Sequence, residues 1–268
     1  MIIVGELINA SRKAIAAAIE AGDTAFLEKV ARDQEEAGAD YIDVNAGVFV
    51  DMEAKHLTWL VELIQKVVKV PCCLDSPDPA ALEAALAVHN DEFGPAMINS
   101  ISLEKDRWER LLPVIAGTDL KVVALCMSDE GMPETADQRL KIAEELIEGL
   151  TKNKVALENI FVDPLVQPVA TNTRFGVEFL NAVEGIMTGW PGVHTMCGLS
   201  NISYGLPERK FMNQTFMTMA IAKGLDGAII NPLDKRMAAA MVSAEALAGR
   251  DDYCMNYLKA FRSKTFEF

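Results

Sequence analysis

Acidic and amide side chains stand at the ends of the apolar, strand-like runs of this chain. In the clearest case, a run of apolar and small residues from Pro71 ends at Asp75, and Ser76 begins the next element. A buried carboxylate is stable when it accepts parallel N–H donors, and an amide both donates and accepts. Such side chains suit a flat, neutral heterocycle with several N–H groups. The strand-end residues are Glu6, Asn9, Asn45, Asp75, Asn99, Asp163, Asn201 and Asn231, with Asp43 just inside the second strand.

Strand-like and helical patterns alternate along the whole chain. The strand-like runs are almost continuously apolar, which is typical of a parallel sheet buried on both faces. Eight such units in 268 residues favour an α/β fold, a (β/α)8 TIM barrel that forms a single domain over residues 1–268. An open doubly wound sheet is the alternative, although no Gly-x-Gly-x-x-Gly follows a strand. The predicted strands are residues 2–5, 41–44, a run leading to 75, 96–98, 122–126, 160–162, 193–197 and 227–230.

Helix signals separate these strands. Asp23 and Asp78 are expected N-caps, Pro79 follows as a first helical residue, and Thr135 with Gln138 forms a capping box. Since the strands of a barrel all run the same way, the polar residues at their ends would face one mouth. The predicted helices include residues 55–68, 135–150, 173–183, 211–223 and 235–248.

Charge and apolar content exclude several classes of function. With 25 basic and 39 acidic residues the formal net charge is −14, which argues against binding to nucleic acid or to an anionic membrane. No apolar run approaches the roughly 18 residues of a membrane span. The amino terminus is predicted to be a first strand, not a signal peptide. Five cysteines, an odd number, fit a reduced cytoplasmic protein.

Familiar catalytic bases and metal ligands are missing from the predicted strand ends. Adjacent Cys72 and Cys73 would point to opposite faces of a strand, so they are not expected to form a metal site. His56 and His89 fall in helical patterns and are expected at the surface, whereas His194 begins a strand far from the mouth. No Lys or Arg occupies a strand end, and no Ser–His or Cys–His arrangement suggests acyl transfer.

Six short segments contain most of these polar residues. They are Gly-Glu-Leu-Ile-Asn at 5–9, Asp-Val-Asn-Ala-Gly at 43–47, Leu-Asp-Ser at 74–76, Met-Ile-Asn-Ser at 97–100, Val-Asp-Pro at 162–164 and Gly-Leu-Ser-Asn-Ile-Ser-Tyr-Gly at 198–205. Together they resemble the pterin-binding methyltransferase family, and most closely the methyltetrahydrofolate:corrinoid protein methyltransferases. The resemblance covers nearly the whole chain, and residues 199–205 with Asn213 beyond them are its most specific part.

The resemblance implies the same barrel and a folate ligand. Asp75, Asn99 and Asp163 would hold the pterin ring, and Asn201 would hydrogen-bond to N5 of the folate. The residues expected at the pterin site are Glu6, Asn9, Asn45, Asp75, Asn99, Asp163, Ser200, Asn201 and Asn231.

The implied reaction moves a methyl group between N5 of tetrahydrofolate and the cobalt of a corrinoid such as cobalamin. Tetrahydrofolate or 5-methyltetrahydrofolate would be the substrate. Because the chain lacks Asp-x-His-x-x-Gly, a separate corrinoid protein would carry the cobalamin, and no metal of the chain's own is expected. The resemblance also implies a homodimer. An amine nitrogen leaves poorly without a proton or a strong hydrogen bond. Asn201 is therefore the candidate for stabilising the transition state, and Asp43 for holding the water that supplies the proton.

Two alternatives and one departure accompany this hypothesis. A dihydropteroate synthase-like enzyme would need basic residues at the mouth for a pyrophosphate leaving group, and only Lys235 and Arg236 follow the last strand. A non-catalytic folate-binding scaffold would bind folate without turnover. Many relatives carry Arg where this chain has Leu7, which leaves open what neutralises Glu6.

Overall fold

Eight parallel strands form a barrel, which confirms the predicted (β/α)8 fold. The structure is a computed structural model and describes residues 1–267. Its strands are β1 (Ile2–Asn9), β2 (Tyr41–Asn45), β3 (Cys72–Asp75), β4 (Met97–Leu103), β5 (Lys121–Ser128), β6 (Ile160–Asp163), β7 (His194–Thr195) and β8 (Gly227–Ile230). They pair in the order β7-β6-β5-β4-β3-β2-β1-β8. A parallel bridge between Gly198 and Ile229 joins the two ends of this sheet.

Helices surround the barrel and follow the strands along the chain. They are α1 (Lys13–Ala21), α2 (Thr24–Glu36), α3 (Glu53–Ile64), α4 (Pro79–Leu86), α5 (Lys105–Ile115), α6 (Ala136–Lys152), α7 (Phe175–Gly189), α8 (Arg209–Lys223), α9 (Lys235–Leu247) and α10 (Met255–Arg262). Within residues 1–267, none of the helices is long and apolar enough to span a membrane.

The predicted helix caps are confirmed. Asp23 and Asp78 each accept a hydrogen bond from a backbone N–H group in the first turn of the following helix, at 3.1 and 3.0 Å. Thr135 and Gln138 form both bonds of the capping box at the start of α6. These bonds satisfy N–H groups that the helix itself leaves unpaired, so each helix begins at the mouth side of the barrel at a defined residue.

Several element boundaries differ from the sequence-based predictions. β1 and β4 run past their predicted ends, so Glu6 and Asn99 lie inside strands rather than at their tips. Both extensions follow a register shift, after which the neighbouring strand continues to pair. β7 is reduced to His194–Thr195. The sequence did not indicate α1, which begins without a side-chain cap, or α10.

An apolar plug fills the barrel interior below the mouth. It consists of Val4, Tyr41, Cys73, Met97, Val123, Phe161 and Met196, whereas Cys72, Leu74 and Ile98 belong to the core between strands and helices. Successive side chains of a strand point to opposite faces. Residues two positions beyond the plug therefore also point inward, at the carboxyl end. Five of the predicted site residues occupy such positions, namely Glu6, Asp43, Asp75, Asn99 and Asp163.

Truncating the plug should destabilise the barrel. Phe161 is 1% exposed and stacks on His194 with the ring centroids 4.7 Å apart. We expect Phe161→Ala to lower the free energy of unfolding by about 3–5 kcal/mol, because it removes a large buried side chain and leaves a cavity. Urea denaturation followed by circular dichroism measures this change. Phe93→Ala, at a position 40% exposed, is the control, and equal losses in the two variants would contradict the assignment of Phe161 to the plug.

Candidate active site

The carboxyl ends of β2 and β3, with the adjoining part of β4, bring four predicted site residues together. In the strand register, Asn45 lies beside Asp75 and Asp75 beside Asn99. The Asn45 side chain donates from Nδ2 to Asp75 Oδ2 at 2.9 Å. Asp43 lies two residues before Asn45 on β2, deeper in the barrel. It is 2% exposed, and its Oδ1 has no hydrogen-bond partner among residues 1–267. A buried acceptor without a donor is costly, so this cluster is suited to a ligand that supplies N–H groups.

Burial gives the two acids of this cluster raised pKa values. Burial raises the pKa of Asp75 to about 6, although the hydrogen bond from Asn45 and the charge of Arg107 act in the opposite direction. Burial, and then the nearby charge of Asp75, raise the pKa of Asp43 well above its ordinary value. Two close carboxylates in a dry site do not both ionise readily. Of the two, Asp43 is the more deeply buried, and burial beside Asp75 makes its carboxyl harder to ionise than an exposed one.

Asp163 occupies the end of β6 across the mouth. Burial raises its pKa to about 7, and backbone N–H groups of Leu165 and Gly198 partly offset the shift. The Leu165 N–H donates to Oδ1 at 2.8 Å. Asn201 and Tyr204 line, with Leu165, a cavity of about 560 Å³ above the ends of β6 and β7. The amide of Asn201 is thus exposed at the mouth rather than buried in its wall.

Glu6, Ser200 and Asn231 share a narrow cleft between β1, β8 and α8. Its volume is about 70 Å³, and Lys210 also lines it. The Arg12 guanidinium donates to Glu6 Oε1 at 2.6 Å. Burial raises the pKa of Glu6, and Arg12 lowers it. Arg12 is therefore the main cation that faces Glu6, and Arg209 adds a smaller contribution, in a chain that has Leu7 beside Glu6.

Two predicted site residues have local structural roles. Asn9 Oδ1 accepts from the backbone N–H of Ser11 at 3.0 Å, and Asn231 Oδ1 accepts from that of Leu233 at 2.9 Å. Both are turn-forming bonds of the kind that Asn makes with its own backbone two residues on. Their oxygens are engaged within the chain, which leaves their Nδ2 groups as the atoms available to a ligand.

His89 and His194 lie outside this mouth, but one expectation about them is wrong. His89 was expected at the surface, yet its side chain is 1% exposed and its Nε2 accepts from the backbone N–H of Cys72 at 3.2 Å. His194 contacts Asp226 at 2.7 Å at the amino-terminal end of the barrel, as expected. Among residues 1–267, no group of three His, Cys, Asp or Glu side chains is placed to hold a metal ion.

Sequence reasoning missed the cations that reach the mouth from helices. No Lys or Arg stands at a strand end, but Arg12 precedes α1, Arg107 lies in the first turn of α5, and Arg209 begins α8. Arg209 donates to the Ser200 carbonyl at 2.6 Å and to Ser203 Oγ at 3.0 Å. The sequence feature that could have found these cations is their place at or near the start of a helix, because the first turns of barrel helices follow the loops of the mouth.

The sequence matches known proteins along nearly its whole length. A family model described as "Pterin binding enzyme" matches residues 5–231. The chain is 37% identical over 264 residues to methylcorrinoid:tetrahydrofolate methyltransferase of Eubacterium limosum, which covers 98% of this chain and 96% of that protein. It is 31% identical over 249 residues to methionine synthase of Mycobacterium tuberculosis, covering 86% of this chain and 20% of that longer protein.

Solved structures of low sequence identity share the fold. Dihydropteroate synthase of Coxiella burnetii in complex with pteroic acid superposes with a TM-score of 0.71 at 17% identity, covering 92% of this chain and 93% of that one. Dihydropteroate synthase of Xanthomonas albilineans in complex with 7,8-dihydropteroate gives 0.68 at 17% identity, with 92% and 93% covered. These likenesses concern the barrel itself.

The raised pKa of Asp163 predicts how stability depends on pH. A carboxyl whose pKa is higher in the folded state stabilises the fold below its unfolded pKa, and this contribution is lost as the pH rises through about 7. Asp163→Asn has no carboxyl that titrates at this position. We therefore expect the free energy of unfolding of the variant, relative to that of the wild type, to rise by up to about 4 kcal/mol between pH 4 and 8. Any difference between the two proteins that does not depend on pH adds to this change.

Urea denaturation of the ligand-free protein across this pH range measures the difference. Asp51→Asn, at an exposed position, is the matched control and should follow the wild type. A stability difference between Asp163→Asn and the wild type that does not change with pH would contradict the burial of an ionisable group at this position.

Proposed function

Because the chain belongs to the family of pterin-binding enzymes, we propose that it transfers a methyl group between N5 of tetrahydrofolate and the cobalt of a corrinoid carried by a separate protein. The observation that carries this proposal is the near full-length similarity to a methylcorrinoid:tetrahydrofolate methyltransferase, joined to a mouth lined with buried acids and amides. The protein is a folate- and corrinoid-dependent methyltransferase. The whole chain, residues 1–268, acts as one pterin-binding domain.

The chemistry of the mouth fits a pterin ring. The 2-amino and N3–H groups of a pterin are parallel donors, and an ionised carboxylate accepts both in a charge-assisted pair. Asp75 takes this pair, and Asn45 keeps the carboxylate oriented through its 2.9 Å hydrogen bond. Asn99 and Asp163 contact the remaining ring nitrogens. Two observations support this assignment: Asp43 Oδ1 has no hydrogen-bond partner in the described part of the chain, and the pKa values of Asp75 and Asp163 are raised. N–H groups of a ligand would hydrogen-bond to each of these carboxyl groups.

Methyl transfer from folate requires N5 to become a better leaving group. When the N5–methyl bond breaks and the methyl–cobalt bond forms, N5 keeps the electron pair and takes up a proton; in the opposite direction it gives this proton up. We assign the hydrogen bond to N5 to Asn201. Its Nδ2 lies above Gly198, 3.6 Å from the point that a Cβ atom on this glycine would occupy. We assign the proton supply to Asp43 acting through water, because burial and the charge of Asp75 raise the pKa of its carboxyl and so favour the protonated form.

Exposed apolar side chains around the mouth support a protein partner. They lie in the loops after β2, β5, β7 and β8 and in the first turn of α8, where few apolar residues would otherwise be exposed. A corrinoid protein that docks its cobalamin over the mouth would cover them and exclude water from the transferring methyl group. The residues of this apolar rim are Val48, Val50, Met52, Met132, Tyr204, Phe211, Met212 and Leu233.

A second exposed apolar surface lies away from the mouth, on the carboxyl-terminal segment. Tyr253 is 93% exposed and Phe261 is 69% exposed, and Leu247, Met255 and Leu258 lie near them in the sequence. We propose that this face forms the interface of a homodimer. We also propose a cytoplasmic location, which the five free cysteines support.

The alternative functions fit less well. A dihydropteroate synthase would bind a pyrophosphate at the mouth, but the Lys235 ammonium is directed to the carbonyl of Glu267, at 3.5 Å, in the carboxyl-terminal segment. The structural neighbours that are dihydropteroate synthases share 17% identity with this chain, which supports the fold and no shared reaction. A folate-binding scaffold would bind 5-methyltetrahydrofolate and leave reduced cobalamin unmethylated.

Replacing Asn201 should slow chemistry more than binding. We expect Asn201→Ala to lower the single-turnover rate of methyl transfer about 100-fold, because a hydrogen bond that strengthens as N5 gains charge is lost. The change in the dissociation constant for 5-methyltetrahydrofolate should be smaller, at about 5-fold. Stopped-flow absorbance of Co(I) cobalamin measures the rate, and calorimetry measures the binding.

Asn256→Ala, at an exposed position on α10, is the control and should keep the wild-type rate. An unchanged single-turnover rate in Asn201→Ala would remove the assigned role of this amide. Folate binding by the wild type without methyl transfer to free or protein-bound corrinoid would favour the scaffold.

A further inference from the structure

One guanidinium joins the loop that follows β3 to the neighbouring strand β4. Arg107 donates from Nε to the carbonyl of Ser100 at 2.6 Å, from Nη1 to that of Pro77 at 2.6 Å, and from Nη2 to that of Ser76 at 2.9 Å. These three acceptors belong to two separate stretches of backbone. A planar guanidinium with a fixed fork of donors holds such acceptors in a defined geometry, so Arg107 fixes the position of the loop after β3 relative to β4.

The backbone that Arg107 holds carries the two residues expected to contact the pterin edge. Ser76 follows Asp75, and Ser100 follows Asn99. Asp75 and Asn99 are paired in the strand register. The Ser76 N–H donates to the Asn99 carbonyl at 3.3 Å. A shift of the loop after β3 against β4 would separate the Asp75 carboxylate from the Asn99 amide. Because recognition of a flat ring needs donors and acceptors in one plane, this spacing affects binding directly.

The same guanidinium supplies the positive charge that faces Asp75. Arg107 lowers the pKa of the Asp75 carboxyl, whereas burial and Glu53 raise it. Ser76 Oγ donates to Glu53 and so ties that second carboxylate to the loop. Burial lowers the pKa of Arg107 itself, and the neighbouring acids act against this shift. The charged groups that face Asp75 and Arg107 from the surrounding elements are Asp43, Glu53, Asp78 and Glu104.

We propose that Arg107 is a positioning residue of the pterin site, which locks Asp75 and Asn99 into register through three backbone carbonyls and places a compensating charge beside Asp75. This inference rests on the proposed function, since it concerns the same site. Arg107 lines one cavity with Asp75 and Asn99, but each of its three guanidinium nitrogens donates to a backbone carbonyl, so we assign it a role that acts through those two residues. Its two contributions, geometry and charge, are separable by substitution.

Two variants and a matched control separate these contributions. Arg107→Lys keeps the charge but has one nitrogen and cannot reach three carbonyls in a fork. Arg107→Met removes both. Arg110→Met removes a charge one turn along the same helix, where Arg110 contacts Asp78 at 3.3 Å and is 45% exposed. Circular dichroism and urea denaturation establish that each variant is folded before it is used.

The first measurement is the dissociation constant for 5-methyltetrahydrofolate between pH 5 and 8.5. At pH 8, where Asp75 is ionised in the wild type, we expect Arg107→Lys and Arg107→Met to bind about 10- to 100-fold more weakly. Protonation of Asp75 weakens binding at low pH, so the affinity falls below an acid midpoint. This midpoint should rise by about one pH unit in Arg107→Met and stay near its wild-type value in Arg107→Lys and Arg110→Met.

The second measurement needs no folate. Carboxyl ¹³C NMR titration of the ligand-free protein, with the Asp75 signal assigned through Asp75→Asn, should show the same upward shift in Arg107→Met alone. An Asp75 titration and a dissociation constant equal to the wild type in folded Arg107→Met would overturn the inference. Loss of affinity without any shift in Arg107→Met would overturn the charge contribution. Failure of the wild type to bind the folate would instead overturn the proposed function, and the NMR titration would still decide whether Arg107 acts on Asp75.

Discussion

Burial of carboxylates in the wall of a closed barrel is the constraint on which the rest of this site depends. Asp43, Asp75 and Asp163 stand two residues beyond apolar side chains that fill the barrel, so the pleat turns them inward above a dry floor. An ionised carboxylate without donors in such a place is unfavourable. The protein partly compensates with the Asn45 amide, two backbone N–H groups at Asp163 and the charge of Arg107. A ligand with parallel N–H groups completes the compensation.

The reaction that the family relationship implies depends on these buried carboxylates, because they need hydrogen-bond donors from a ligand. In the function that we propose, the pterin binds where the acids need N–H groups, and its N5 edge is directed to Asn201 and the open side of the mouth. Asp43 below the ring would then supply the proton, and the exposed amide at its edge would supply the hydrogen bond, that N5 needs as the methyl group moves. The apolar rim around the mouth would contact the partner that brings the cobalt. Dihydropteroate synthases share the barrel, so the side chains at the mouth, not the fold, decide which of these chemistries occurs.

The sequence was sufficient for the barrel, because each buried parallel strand is a short apolar run and the starts of α2, α4 and α6 carried recognisable caps. It was also sufficient to place the inward-pointing acids, since the carboxyl ends of all strands face one mouth. It did not reveal Arg12 or Arg107, because which helical side chain reaches back over a strand end depends on helix position. Asn9 and Asn231 show a second limit: an Asn that forms a turn and an Asn that binds a ligand occupy the same kind of sequence position.

The number of protons released when 5-methyltetrahydrofolate binds tests this account most directly. Calorimetry at pH 6.5 in buffers of different ionisation enthalpy measures that number. The pKa values of about 6 for Asp75 and about 7 for Asp163 leave both carboxyls partly protonated at this pH, and N–H donors from the ring would favour their ionised forms. The account predicts a net release of up to about one proton, which disappears above about pH 8.5. Binding with no proton release, or with proton uptake, would contradict it.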